Sequence, residues 1–125
     1  MKLKRKGEIF MAKHRIAVAT DGEGGLKDVV SDVFGRAKTF TIVDAENEKI
    51  IGVKVLKNPA ISYAHGAGPI AIKSLVDDGV GLVIAYELGI GASEILKQHN
   101  ISYTQTKPGT NVEKIIKKTL RLHKK

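Results

Sequence analysis

Apolar and β-branched residues form three short strand-like runs in the first half of the chain. The runs are His14–Thr20, Thr39–Asp44 and Ile50–Leu56. The first stops at Asp21-Gly22, which is a turn signal, and only a short polar stretch separates the second from the third. The pattern predicts a central strand and then a β-hairpin, with a glycine- and acid-rich loop between them.

In the second half, apolar positions take helical spacing in three segments. Pro69 fits the first turn of the first helix and Gly79 closes it, while Asn100 ends the second. Thr110 or Asn111 caps the third helix. The residues at helical spacing are Ala67, Ile70, Ala71, Ser74 and Leu75 in the first helix, Ala92, Ile95, Leu96 and His99 on one face of the second, and Val112, Ile115, Ile116, Thr119 and Leu120 on the inward face of the third.

Two more strands, Leu82–Tyr86 and Ile101–Thr106, alternate with these helices. The element order is β-β-β-α-β-α-β-α, and the right-handed crossover rule makes the last two strands parallel to the first. We therefore expect a single-domain, three-layer α/β fold, with a five-stranded mixed sheet in the order 3-2-1-4-5 and flanking helices. This arrangement is ribonuclease H-like.

The loops after strands one, three and four leave from the carboxyl ends of parallel strands, where open α/β sheets bind ligands. Glycine permits close backbone approach, so such loops can turn N–H groups toward an anion. The glycines are Gly22, Gly24, Gly25 and Gly35 in the first loop, Gly66 and Gly68 in the second, and Gly89 and Gly91 in the third. The pattern predicts an anion-binding crevice, although Gly89 and Gly91 are also typical of a plain strand-to-helix turn.

Four side chains in these loops are candidates for chemistry, and each has an ordinary structural alternative. His65 could ligate a metal or be a surface histidine, and Arg36 could bind an anionic group or form a local salt bridge. Asp21 could serve only the turn. Asp21 and Glu87 follow neighbouring strands, as in a metal-dependent ribonuclease H-like nuclease, but such a site needs three or four carboxylates.

Charge and cysteine content narrow the function classes. Of the net charge of +8, residues 1–15 and 111–125 carry +5 each, and the rest of the chain carries −2. With the charge terminal and few aromatic residues for stacking, the pattern argues against nucleic-acid binding. The absence of cysteine excludes thiolate ligands. No stretch has the length of a signal peptide's apolar core or a membrane span, which favours a cytoplasmic protein.

Segments of the chain, in the right order, resemble the dinitrogenase iron-molybdenum cofactor biosynthesis family: HRIAVATDG, VFGRAKTFTIVD, HGAGPIA and ELGIGASEIL. The resemblance covers about residues 14–120 and implies a ribonuclease H-like fold. It also implies non-catalytic binding or carriage of nitrogenase cofactor or its iron-sulfur precursor, with a protein partner in cofactor assembly. We take residues 14–125 as this domain and 1–13 as a basic N-terminal extension.

One position departs from the family pattern. Members usually have a histidine directly before Phe-Gly in the first loop, and here that position is Val33, which cannot coordinate iron. His65 is therefore the predicted metal ligand. The predicted cofactor-binding residues are Asp21, Gly22, Phe34, Gly35, Arg36, His65, Gly66, Gly68, Glu87, Gly89 and Gly91. The alternative is a small-anion or nucleotide-binding regulatory module, because glycine loops at helix N-termini serve it equally well.

Overall fold

The computed structural model describes residues 13–63 and 65–122. The strands are β1 (Lys13–Thr20), β2 (Thr39–Glu46), β3 (Lys49–Lys57), β4 (Leu82–Ala85) and β5 (Ser102–Gln105). The helices are α1 (Ala67–Asp77), α2 (Ile90–Gln98) and α3 (Val112–Leu122). The predicted N-terminal extension lies outside the described residues, apart from Lys13, which begins β1.

All five strands form one sheet, in the order β3-β2-β1-β4-β5. β2 is antiparallel to β1 and β3, and β4 is parallel to β1 and β5. The predicted mixed sheet and its order are confirmed, whereas the ribonuclease H-like name stays a prediction. Because β1, β3 and β4 run in the same direction, the loops that follow them leave from the same edge of the sheet.

Alternate residues of β1 feed two separate cores, because successive side chains of a strand point to opposite faces. Ala17 and Ala19 belong to the cluster that contains Phe40 and residues of α1 and α2. Ile16 and Val18 belong to the other cluster, with residues of α3. The helices therefore form one layer on each side of the sheet. None of them, within the described residues, is long and apolar enough to cross a membrane.

The β2–β3 hairpin is longer than predicted. The sequence pattern makes residues 45–49 a loop, but strand pairing continues to Glu46 and Lys49. Asn47 turns the chain with a φ of 60°, a left-handed conformation that asparagine tolerates. Since this tight turn lacks glycine and its flanking residues are polar, the spacing of apolar residues alone ends both strands too early.

The first helix begins where its apolar residues indicate, and the second begins two residues earlier. α1 starts at Ala67, which places Pro69 in the first turn, where a residue needs no intrahelical partner for its N–H. α2 starts at Ile90, so Gly91 belongs to its first turn rather than to the preceding loop. The N-cap residues are Gly66 and Gly89.

The helix ends follow the predicted signals with one exception. Gly79 and Asn100 come just after α1 and α2 and have φ angles of 79° and 57°. Asn111 caps α3, because its Oδ1 accepts a hydrogen bond from the Lys114 N–H (3.0 Å). The exception is His99: its spacing predicts that it lies on one face of the second helix, but it follows the last residue of α2, has non-helical backbone angles and is exposed.

Candidate functional site

The loop between β1 and β2 is folded around the carboxylate of Asp28. This carboxylate accepts hydrogen bonds from the N–H groups of Gly22 (2.9 Å), Gly24 (2.7 Å) and Val29 (2.7 Å). Gly24 has a φ of 88°, and a methyl group there would lie 2.7 Å from Val55, so only glycine fits. The N–H groups of Gly22 and Gly24 thus already bind a negative group, and that group belongs to the chain itself.

Carbonyl groups of the same loop complete the N-terminus of α3. The Val112 N–H donates to Asp28 O (2.9 Å), and the Glu113 N–H donates to Leu26 O (3.2 Å). Together with the Asn111 cap, these bonds satisfy the first N–H groups of the helix inside the protein. The N-terminus of α3 is therefore used for folding and does not offer an anion site.

The first and third glycine loops meet the second at the first turn of α1. A methyl group on Gly35 would lie 2.8 Å from Gly68 N, so the backbone of the first loop rests directly on the backbone of α1. A methyl group on Gly91 would lie 3.1 Å from the Pro69 ring, so the first turns of α1 and α2 are also in contact. The carboxyl edge of the sheet therefore brings Gly35, Gly68 and Gly91 together.

Both helices that meet here begin without a hydrogen bond from a capping side chain. Gly66 and Gly89 have no side chain with which to cap, and neither first turn contains an acidic residue. The first N–H groups of a helix have no intrahelical acceptor, and the helix dipole adds partial positive charge at this end. We call this surface, formed by residues 65–68 and 89–92, the paired helix N-termini. It favours a negatively charged ligand.

The predicted side chains differ in their relation to this surface. His65 is exposed and directly precedes the N-cap of α1. Arg36 is also exposed, and its Nη1 donates to Ile61 O (3.4 Å), which ties the first loop to the second. Phe34, in contrast, is only 4% exposed, and its ring centroid lies 5.2 Å from that of Phe40. Phe34 is thus a core residue, and its buried side chain packs the first glycine loop against the core.

The two predicted carboxylates lie at the ends of neighbouring strands. Asp21 follows β1 and Glu87 comes shortly after β4, and both are exposed. Within residues 13–63 and 65–122, no three His, Cys, Asp or Glu side chains are arranged to hold a metal ion together. The two carboxylates therefore lack the further ligands that a two-metal nuclease site requires.

Two residues of β5, which the sequence pattern did not single out, hold the start of the third glycine loop. Tyr86 O accepts hydrogen bonds from the Tyr103 hydroxyl (3.2 Å) and from Gln105 Nε2 (2.9 Å). Burial, with a smaller contribution from the Glu87 carboxylate, raises the pKa of Tyr103, so the hydroxyl keeps its proton and donates. Their position beside β4 and their alternate spacing are the sequence signals that could have identified them.

A sequence model of the dinitrogenase iron-molybdenum cofactor family matches residues 14–122. The chain belongs to this family. The match includes every helix and strand described above except the first residue of β1, so the paired helix N-termini of this family member lie within the matched segment.

Individual relatives match most of this chain, one in sequence and two in both sequence and structure. An uncharacterized protein of Methanocaldococcus jannaschii is 30% identical over 88 residues, which cover 70% of this chain and 74% of that protein. The apo form of the orange protein from Desulfovibrio gigas is 31% identical, with a TM-score of 0.78, covering 86% of this chain and 88% of that chain. A NifB-like protein from Thermotoga is 34% identical, with a TM-score of 0.68 and coverages of 88% and 89%.

This family member presents a valine where the sequence resemblance leads us to expect a histidine. Val33 is 39% exposed and has no atom that could bind a metal. His65 is the only histidine among the described residues of the three glycine loops. Any metal ligation by a histidine in these loops therefore depends on His65.

Proposed function

We propose that this family member is a non-catalytic carrier or binding protein that holds an anionic iron-sulfur or iron-molybdenum cofactor, or a precursor of one, at the paired helix N-termini. The observation that carries the proposal is the contact between two helix N-termini that have glycine N-caps and no side-chain caps. Membership of the family supports the cofactor class, and the likeness to the orange protein agrees with it. A role in cofactor assembly also favours a cytoplasmic location and a protein partner.

The chemical groups available at the proposed site determine how it would bind the cargo. The sequence has no cysteine, and the described residues include no group of three metal-binding side chains. Backbone N–H groups of residues 66–68 and 89–91 and the Arg36 guanidinium would therefore stabilise the negative charge. His65 would supply a single bond to a metal atom of the cargo.

Anaerobic metal uptake tests this proposal. Purified protein mixed with ferrous iron and sulfide is expected to retain iron stoichiometrically and to become coloured. His65→Ala should weaken retention roughly tenfold, as expected from the loss of one ligand. His99→Ala is the matched control, since His99 is exposed at the far end of α2. Failure of both the wild type and the His65 variant to retain iron would contradict the proposal.

A regulatory module for a small oxyanion or a nucleotide is the second candidate, because paired helix N-termini suit these anions and no multi-ligand metal site is present in the described residues. A thermal-shift series with phosphate and nucleotides separates the two candidates, since a specific ligand raises the melting temperature. Stabilisation by one of these anions without iron retention would favour the module. Magnesium-dependent nucleic-acid cleavage that disappears in Asp21→Asn would instead favour a nuclease.

A further inference from the structure

Asn58 joins the first and second glycine loops from a buried position, with 4% of its surface exposed. Its Nδ2 donates hydrogen bonds to Gly35 O (2.9 Å) and Ala37 O (2.9 Å), and its Oδ1 accepts one from the Ala60 N–H (2.9 Å). Its backbone N–H donates to Lys38 O (3.3 Å). Both hydrogens of the side-chain amide are thus used to hold the first loop to the second, and the oxygen accepts a hydrogen bond from within the second loop.

These bonds fix Arg36 in particular, because the two carbonyl groups bound by Nδ2 belong to the residues on either side of it. The described chain contains no cis peptide, so a Gly35 carbonyl that points to Asn58 turns the Arg36 N–H away from Asn58. On its other side, Gly35 touches the backbone of Gly68 in the first turn of α1. Asn58 therefore determines where the Arg36 backbone lies relative to α1.

We propose that Asn58 is a positioning residue for the cargo site: its amide clamps residues 35–37 against the first turn of α1 and so sets the place of Arg36 beside the paired helix N-termini. The inference rests on the proposed function. Only a side chain with two donors and one acceptor at this length satisfies all three partners. Aspartate has the same shape but would point acceptors at two carbonyl oxygens in a space closed to water.

The effect of changing Asn58 should stay local. Asn58 lies between β3 and α1, outside both elements, and it contacts the apolar core through the backbone of Ala37 and Ala60 at the core's edge rather than through the strands or helices. Loss of its hydrogen bonds should therefore loosen residues 35–38 and 58–61 while the sheet and helices persist. A change of this kind can be separated from global destabilisation.

Two variants and one control test the proposal. Asn58→Asp removes both donors, and Asn58→Ser keeps one hydroxyl without adding charge, in case the first variant does not fold. Thr119→Val is the control: Thr119 has the same 4% exposure, donates to Ile115 O (2.7 Å), and lines a cavity at the opposite edge of the sheet. NMR should show faster amide exchange in residues 35–38 and shifted Ala67 and Gly68 signals in the Asn58 variants, with β1 and β4 unchanged and no such changes in the control.

Binding of the anaerobically formed iron-sulfide cluster gives the second measurement. We expect roughly tenfold weaker binding in Asn58→Asp, a smaller loss in Asn58→Ser, and less than about twofold in Thr119→Val. In an Arg36→Ala background, Asn58→Ser should weaken cluster binding little further, because the effects of substitutions at coupled residues are not additive. Wild-type amide signals in both Asn58 variants, or full additivity with Arg36→Ala, would overturn the inference. If the wild type binds no cluster, the proposed function fails, and the amide measurement alone decides the role of Asn58.

Discussion

Glycine serves different purposes at different positions of this chain. At Gly35 the missing side chain lets two backbone segments touch, because an added methyl group would lie 2.8 Å from Gly68 N. Gly66 is required for its φ angle of 73°, and Gly24 both for its φ angle of 88° and for its contact with Val55. At Gly81 nothing lies within 4 Å of the place where a methyl group would be. The sequence shows all of them as loop glycines, and only the contacts distinguish them.

Gly35→Ala is therefore expected to destabilise the protein by about 1–3 kcal/mol, because a backbone atom of α1 cannot move aside as a flexible side chain could. Gly81→Ala is the matched control and should change the free energy of unfolding by less than about 0.5 kcal/mol. Urea denaturation of both variants measures the difference. Equal stabilities would contradict the close packing of the first loop on α1.

The helices differ in how their N-termini are completed. α3 receives loop carbonyls and the Asn111 cap, whereas α1 and α2 begin at glycines without a side-chain cap. Apolar spacing and capping residues predicted all three helices, the C-terminal ends of α1 and α2, and the N-terminal cap of α3. They did not predict that α3 would be closed by the first loop, because the carbonyls that close it lie more than 80 residues away in the sequence.

Gly89→Asp should change stability and binding in opposite directions. Gly89 has an extended backbone (φ −67°, ψ 165°), which suits an aspartate N-cap, so α2 should gain about 0.5 kcal/mol of stability. The new carboxylate would occupy the N–H groups proposed for the cargo, and iron-sulfide binding should weaken roughly tenfold. Gly81→Asp adds the same charge at the other edge of the sheet and should leave binding unchanged. Unaltered binding in Gly89→Asp would place the cargo elsewhere.

The two edges of the sheet are built differently. At the amino end of β1, Arg15 binds Asp44 through two hydrogen bonds (2.8 and 3.1 Å) and donates to Asp78 O (2.7 Å). Lys54 pairs with the Asp78 carboxylate (2.9 Å), which links β3 to the segment after α1. Ion pairs thus hold this edge, while the opposite edge carries the glycine loops and the paired helix N-termini.

Acid should weaken the Arg15–Asp44 contact in a defined range of pH. The hydrogen bond from Arg15 lowers the pKa of Asp44, so the pair stabilises the fold above the unfolded value of about 3.9 and loses its effect as pH falls through the lower, folded value. The side chains are 34% and 36% exposed, so water screens the pair and the effect is small. Urea denaturation should show Asp44→Asn less stable than the wild type at pH 7, with the difference shrinking below about pH 4. A difference independent of pH would contradict this account.

The architecture was largely predictable from sequence, and the local chemistry was not. Strand order follows from apolar alternation and crossover handedness, which act over the whole chain. The role of Asn58 depends on hydrogen bonds to a segment more than 20 residues away in the sequence, and the role of Asp28 depends on how its own loop folds around the carboxylate. Such polar residues look like ordinary turn formers until their partners are known.

The carboxylate of Asp28 affects how many ligands each chain can bind. Two neighbouring regions of the carboxyl edge offer N–H groups, but the region around Gly22 and Gly24 is occupied by the chain's own acid. This leaves the paired helix N-termini for an external ligand. If they hold the cargo as proposed, we expect saturation at about one equivalent per polypeptide.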